Sequence, residues 1–122
     1  MGYDLRITRA PGHWAESEDG GIDAEEWLAV VAADPELSLE SGRKHFARWS
    51  GPSKHPEPWF DWWRGTIKTK NPDPPIVQKM IAMAQHLGAR VQGDDGEVYL
   101  PDGKVEKEGI VDSREGMDWR KW

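Results

Sequence analysis

Four large aromatic rings within five residues, Trp59-Phe60-Asp61-Trp62-Trp63, limit the folds open to this chain. Read as an extended strand, the run sends Trp59 and Trp63 to one face and Phe60 and Trp62 to the other. One core cannot take all four rings. A sheet that carries them has one side against a second layer and the other against a further layer or a partner. After Gly65, the stretch Thr66-Ile67-Lys68-Thr69-Lys70 alternates again and is rich in β-branched residues. Residues 59–70 therefore read as a hairpin or as one bent strand. The chain holds eight tryptophans in 122 residues. Tryptophan is seldom fully buried, and its indole N–H needs an acceptor. Most of the rings are expected to fill the core. Trp14, Trp119 and Trp122, outside the regular elements, are the ones expected on the surface.

The rest of the chain supplies a sheet and two helices to cover it. Tyr3-Asp4-Leu5-Arg6-Ile7-Thr8-Arg9 alternates as a half-buried strand. Asp23-Ala24-Glu25-Glu26 is a capping-box pattern, followed by apolar residues at Ala24, Trp27, Leu28 and Val31. Pro35 ends that helix. Leu37 and Leu39 begin a short extended piece, and His45–Trp49 is a further strand with Phe46 and Arg48 on one face. Asp73 followed by Pro74 opens a second helix, with the stripe Ile76, Met80, Met83, Ala84, Leu87 and then Gly88 as its stop. Two short strands flank the turn Asp94-Asp95-Gly96. This order predicts one α+β domain over 1–122, with two helices packed on one face of an antiparallel sheet. The expected topology is the ferredoxin-like βαββαβ order with an extra C-terminal strand. Residues 104–122 form a charged, Trp-containing tail, expected to fold back over the open face of the sheet.

The chemistry the chain can carry is narrow. There is no cysteine, which excludes disulfides, thiolate metal sites and a thiol nucleophile. No apolar stretch approaches the ~20 residues of a membrane span. The charged N-terminus lacks the apolar run of a secretory signal, so a cytoplasmic location is expected. Mean hydropathy is −0.79, yet the aromatic content is not that of a disordered chain. His13, His45, His55 and His86 show neither zinc spacing nor an HExxH motif. Asp94-Asp95-Gly96-Glu97 lacks the alternate ligands of an EF-hand and reads as a turn. Nucleophile elbows and phosphate loops are missing. Asp61, set among rings, is the one candidate acid for an enzyme, with a loop histidine as its partner. Neither a metal nor a cofactor is expected.

Charge is polarised along the chain. Glu16 to Glu40 holds nine acids and no Lys or Arg, whereas Ser41 to Arg90 holds nine bases against three acids. The acidic run predicts a patch that steers a basic partner. The segment 43–70 interleaves seven bases with six aromatics, the pattern of a small-ligand or single-stranded nucleic-acid site. The net charge of −6 argues against nucleic acid.

Several stretches carry a resemblance: Tyr3-Asp4-Leu5-Arg6-Ile7-Thr8-Arg9, Glu26-Trp27-Leu28, Pro58-Trp59-Phe60, and Leu87-Gly88-Ala89-Arg90-Val91-Gln92-Gly93-Asp94-Asp95-Gly96-Glu97. Across residues 1–100 the chain resembles a family of small uncharacterised bacterial cytoplasmic proteins. Small acidic proteins of this sort resemble immunity proteins, which neutralise a toxin. The resemblance implies no particular functional residue. The expectation is a non-enzymatic protein-binding module, an immunity protein for a basic toxin. Its partner-binding residues would be Trp14, Glu25, Glu26, Trp59, Trp62, Trp63, Trp119 and Trp122. The alternative is ligand or single-strand binding by 43–70.

Overall fold

The computed structural model describes residues 3–107, 110–111 and 118–121. Among them, two helices and nine strands form an α+β fold. The elements are β1 (Asp4–Thr8), α1 (Ala24–Ala33), β2 (Leu37–Leu39), β3 (Phe46–Trp49), β4 (Trp59–Trp63), β5 (Thr66–Lys70), α2 (Pro74–Leu87), β6 (Arg90–Gly93), β7 (Val98–Tyr99), β8 (Val105–Lys107) and β9 (Ile110–Val111). The strands make one sheet, ordered β2-β3-β4-β5-β1-β6-β7-β8-β9, and every neighbouring pair is antiparallel.

Two helices on an antiparallel sheet match the expectation. The order does not match the ferredoxin-like one. The chain leaves β1, forms α1 and lands on β2 at the far edge of the sheet, then returns strand by strand to β1 through β5. β1 therefore sits between β5 and β6 with antiparallel partners on both sides. The piece at Leu37–Leu39 is a strand in its own right. The extra C-terminal strand is β7, and beyond it β8 and β9 add two more strands within 104–122, where a tail was expected.

The core lies between the helices and one side of the sheet. Leu5 and Ile7 of β1, Ile67 of β5, Phe60 of β4, Ala47 of β3 and Val91 of β6 face it and are buried. They meet the α2 stripe Ile76, Met80, Met83, Ala84 and Leu87 and the α1 residues Trp27 and Val31. Both helix starts are capped as the sequence predicts. Asp23 and Glu26 form the capping box of α1, and Asp73 accepts from the Ile76 N–H at 3.2 Å. Gly88 closes α2 in the left-handed conformation at φ 62°, which costs glycine nothing.

The aromatic run is β4 of a tight hairpin with β5. Trp63 pairs with Thr66 across the two-residue turn Arg64-Gly65, with φ 48° at Arg64 and 79° at Gly65. Positive φ at both turn positions matches the right-handed twist of the strands. The C-terminal residues also pack back, but not over the open side. Trp119 lies in the core at 3% exposure, and its indole donates to the Leu100 carbonyl at 2.6 Å. The segment Trp119–Lys121 contacts α2.

Candidate functional site

The side of the sheet that α1 and α2 leave uncovered, free of α-helix among the described residues, is the place to look for function. The alternation expected of the aromatic run holds: Phe60 and Trp62 face the helices, and Trp59, Asp61 and Trp63 face away. One register row on this side runs Phe46, Asp61, Lys68, Arg6, Gln92, Val98 and Glu106.

The residues at 10–20 cover the β1–β6 half of this face. The Trp14 N–H donates to Gln92 Oε1 at 2.9 Å, and its indole N–H donates to the Gly93 carbonyl at 3.1 Å. The Arg6 guanidinium lies 3.6 Å from the centre of the Trp14 ring, a cation–π contact made stronger by burial. Arg90 and Gln92 both donate to the Gly12 carbonyl. Arg6 is 5% exposed and is paired with Asp94 at 3.4 Å and Asp4 at 3.8 Å.

The covering segment ends where it meets the β4–β5 turn. The Gly20 N–H donates to the Arg64 carbonyl at 2.8 Å, and the Ile22 N–H to the Gly65 carbonyl at 3.1 Å. A Cβ at Gly65 would sit 2.6 Å from the Gly21 nitrogen and 2.7 Å from the Gly20 nitrogen, so only glycine permits this approach. Behind the turn, the Trp62 indole donates to the Ile22 carbonyl at 2.8 Å. The turn is clamped from both sides, and Trp63 stands on it at 65% exposure. Between Trp63 and Trp14 lies an open groove of about 400 Å³, lined also by Asp4, Arg6, Glu18, Arg64, Thr66 and Lys68.

On the β3–β4 half, the protein covers its own rings. Phe46 and Trp59 stack at 5.3 Å with 22° between planes. The Arg43 guanidinium lies 3.7 Å over Phe46, and Arg48 lies 5.8 Å away. Glu40 binds both arginines, at 2.7 Å to Arg48 and 3.5 Å to Arg43. The Arg48 hydrogen bond is the main cause that holds the Glu40 carboxyl below its ordinary range.

The eight expected partner-binding residues thus divide. Trp14, Trp59 and Trp63 share the helix-free face. Trp62 is on the opposite side, half-buried against the core and edge-on to His45 at 4.8 Å. Trp119 is buried, which corrects the expectation of a surface ring. Trp122 lies outside the described residues. Glu25 is exposed on α1 and does not line the groove. Glu26 is not free to steer a partner: it takes a two-pronged grip from Arg9 at 2.7 and 2.9 Å. That grip, with the Asp23 backbone N–H, lowers its carboxyl to about 2.

The acidic run as a whole is partly cancelled. Beyond Glu26 and Glu40, Asp34 and Glu36 bind Lys79. The patch inferred from the nine acids of residues 16–40 is therefore weaker than the sequence implies. The histidines are likewise engaged in structure or peripheral. His13 Nδ1 accepts from the Ala15 N–H, His55 bonds the Asn71 carbonyl, and His86 is exposed in the last turn of α2. Among the described residues no group of His, Asp and Glu is arranged to hold a metal ion. Asp61 is half-buried in the row between Phe46 and Lys68.

Arg64 and Lys68 belong to the alternative 43–70 site of the sequence reading but not to its partner-binding set. Period-2 alternation places Lys68 on the same side as Trp63, and that signal was available. No family model, curated protein or solved structure matches the chain.

Proposed function

We propose that this chain is a non-catalytic protein-binding module that docks a partner on the helix-free face of its sheet, with Trp63 as anchor. The observation that carries this reading is Trp63 itself. It is a tryptophan with 65% of its surface exposed, held on a clamped two-residue turn beside a groove. Tryptophan and arginine are the residue types most enriched at interface hot spots, and a fixed ring loses little entropy on binding. The resemblance makes the partner a toxin and this chain its immunity protein. Support for that step comes from the small size, the net charge of −6 and the missing catalytic motifs.

The alternative, stacking of nucleobases or sugars along 43–70, has one observation in its favour: bases and rings of that segment do share a face. The packing weighs against it. Phe46 is 7% exposed under Arg43 and Trp59, which leaves Trp63 as the widely exposed ring. Single-strand platforms stack successive bases on several rings.

The test is co-expression with the neighbouring gene and capture from the source organism, using wild type and Trp63→Ala as paired baits. A stoichiometric partner recovered by wild type and lost by the variant is expected. Equal recovery by both baits would overturn Trp63 as anchor.

A further inference from the structure

Five of the seven described tryptophans have their indole N–H satisfied. Trp14 donates to Gly93, Trp27 to His45, Trp49 to Glu36, Trp62 to Ile22 and Trp119 to Leu100. Trp59 and Trp63 have no acceptor among the described residues, and both face away from the helices. The cations beside Trp63 show the same pattern. Arg6 is committed to Asp94, Asp4 and the Gly93 carbonyl. Arg64 lies 5.4 Å over the Trp63 ring, and neither it nor Lys68 is in an ion pair among the described residues. Both line the groove with Trp63. The groove thus presents three uncommitted donors: the Trp63 indole, the Arg64 guanidinium and the Lys68 ammonium. Against them stand Glu18 on the rim, Asp61, the cross-strand neighbour of Lys68, and the Asp4 carboxylate, which pairs with Arg6 while its buried Oδ1 accepts no hydrogen bond among the described residues.

We infer that the groove receives an acidic polypeptide segment of the partner. One of its carboxylates lies between Arg64 and Lys68, and a neighbouring apolar side chain lies on the Trp63 ring. This rests on the docking reading above and names the chemistry of what docks. Two cations without ion pairs, beside an indole without an acceptor, call for a ligand that brings its own acceptor, and guanidinium-to-carboxylate pairing is the strong, directional form of that contact. The net negative charge of the whole chain does not forbid it. At physiological salt, exposed charges beyond about 8 Å are largely screened, so the local cations decide. A basic partner, suggested by the acidic run, fits this face poorly. Phosphates of a nucleic acid share the anionic chemistry, but one exposed ring gives them little to stack on.

The test uses three probes: a blocked octapeptide of alternating Glu and Leu, its Lys-Leu counterpart, and an eight-residue oligothymidylate. The readout is the indole region of a ¹H–¹⁵N spectrum of the full chain, with the Trp63 peak assigned by its loss in Trp63→Phe. The expected result is a shift of that peak with the Glu peptide alone, weakened by added salt. Lys68→Glu and Arg64→Glu should each weaken it by about tenfold, with the Trp27, Trp49 and Trp119 indole peaks, remote from the groove, unmoved as proof of folding. A response to the Lys peptide as strong, or to the oligothymidylate, overturns the acidic-segment proposal. So does silence toward the Glu peptide; if Trp63→Ala still loses the captured partner, the docking reading stands and the acidic segment alone falls.

Discussion

Trp62 and Trp63 are neighbours in sequence on opposite sides of β4, so truncating each one separates what the two sides do. Trp62 is half-buried against the core, edge-on to His45, with its indole donating to the Ile22 carbonyl at 2.8 Å. A tryptophan buries about 150–250 Å² when fully covered. With about 100 Å² lost from this ring at about 25 cal/mol/Å², Trp62→Ala forfeits about 2.5 kcal/mol. The orphaned carbonyl adds about 1 kcal/mol. The total, about 3.5 kcal/mol, corresponds to a fall in Tm of about 12 °C for a domain of this size. Trp63 is 65% exposed and leaves no buried acceptor behind, so Trp63→Ala should cost at most about 1 kcal/mol, or about 4 °C. Thermal unfolding followed by far-ultraviolet circular dichroism measures both, and urea titration with an unchanged m-value guards against altered denatured states. If Trp63→Ala loses more than half of what Trp62→Ala loses, Trp63 is a brace of the fold. The docking face then loses its anchor.

Asp73 caps α2 and also accepts from the Ser53 hydroxyl and the Lys54 N–H, both within 2.8 Å, at 4% exposure. Asp73→Ala should therefore cost about 3 kcal/mol, more than a lone cap, as read by urea denaturation. The chain's two tyrosines, Tyr3 and Tyr99, are hydrogen-bonded to each other, and Tyr3 also donates to Glu97. Burial is the main cause that pushes both hydroxyls well above the usual tyrosine range. A raised folded value makes the stabilisation complete below the unfolded value near 10 and lost as pH climbs beyond it. Absorbance at 295 nm should thus show no tyrosinate until the fold opens; a native titration near pH 10 would refute this. For Glu26, lowered to about 2, the sign reverses. Its contribution is present above the unfolded glutamate value near 4.3 and disappears as pH falls through about 2. Glu26→Gln should flatten that acid limb of the stability profile relative to wild type.

How much of this was legible in the sequence depends on which physical signal each feature leaves. The helices were legible, because capping residues and 3.6-residue spacing act locally: Asp23 with Glu26, and Asp73 with Gly88, fall where the chain requires them. So was the division of the aromatic run, since strand alternation is a property of the backbone alone. Strand order was not. Periodicity tells a strand which side faces the core, but not which strand lies beside it. The pattern strand-helix-strand admits a crossover to an adjacent strand and equally a jump to the far edge. The chain takes the jump: Leu37–Leu39 forms the outermost strand, and β5, reached through three successive antiparallel connections, becomes the neighbour of β1. The fate of Trp119 was illegible for a related reason. No amphipathic spacing surrounds it, and its burial follows from Gly103 and Leu100 bringing a turn to it.

Charge shows the same limit in a form that bears on function. The acidic stretch 16–40 and the basic stretch 41–90 look like two opposed surfaces when read along the chain. Folding lays them against each other. β2 pairs with β3, so Glu40 meets Arg48 and Arg43, while Asp34 and Glu36 meet Lys79 of α2. A charge that finds its counter-ion inside the molecule adds little to the field a partner meets. What a partner meets are the groups left over after these pairings. At the groove those are Arg64, Lys68 and the Trp63 indole on one side of the ledger, and Glu18, Asp61 and the unbonded Asp4 Oδ1 on the other. Composition points to an acidic protein in search of a basic partner, whereas the groove beside Trp63 holds two cations, Arg64 and Lys68, that no described carboxylate pairs. The difference arises because composition counts every charge and a binding surface presents only the uncommitted ones. Reversing Lys68 should accordingly change binding to this face far more than reversing Glu26, whose removal leaves Arg9 without its partner and is felt by the fold.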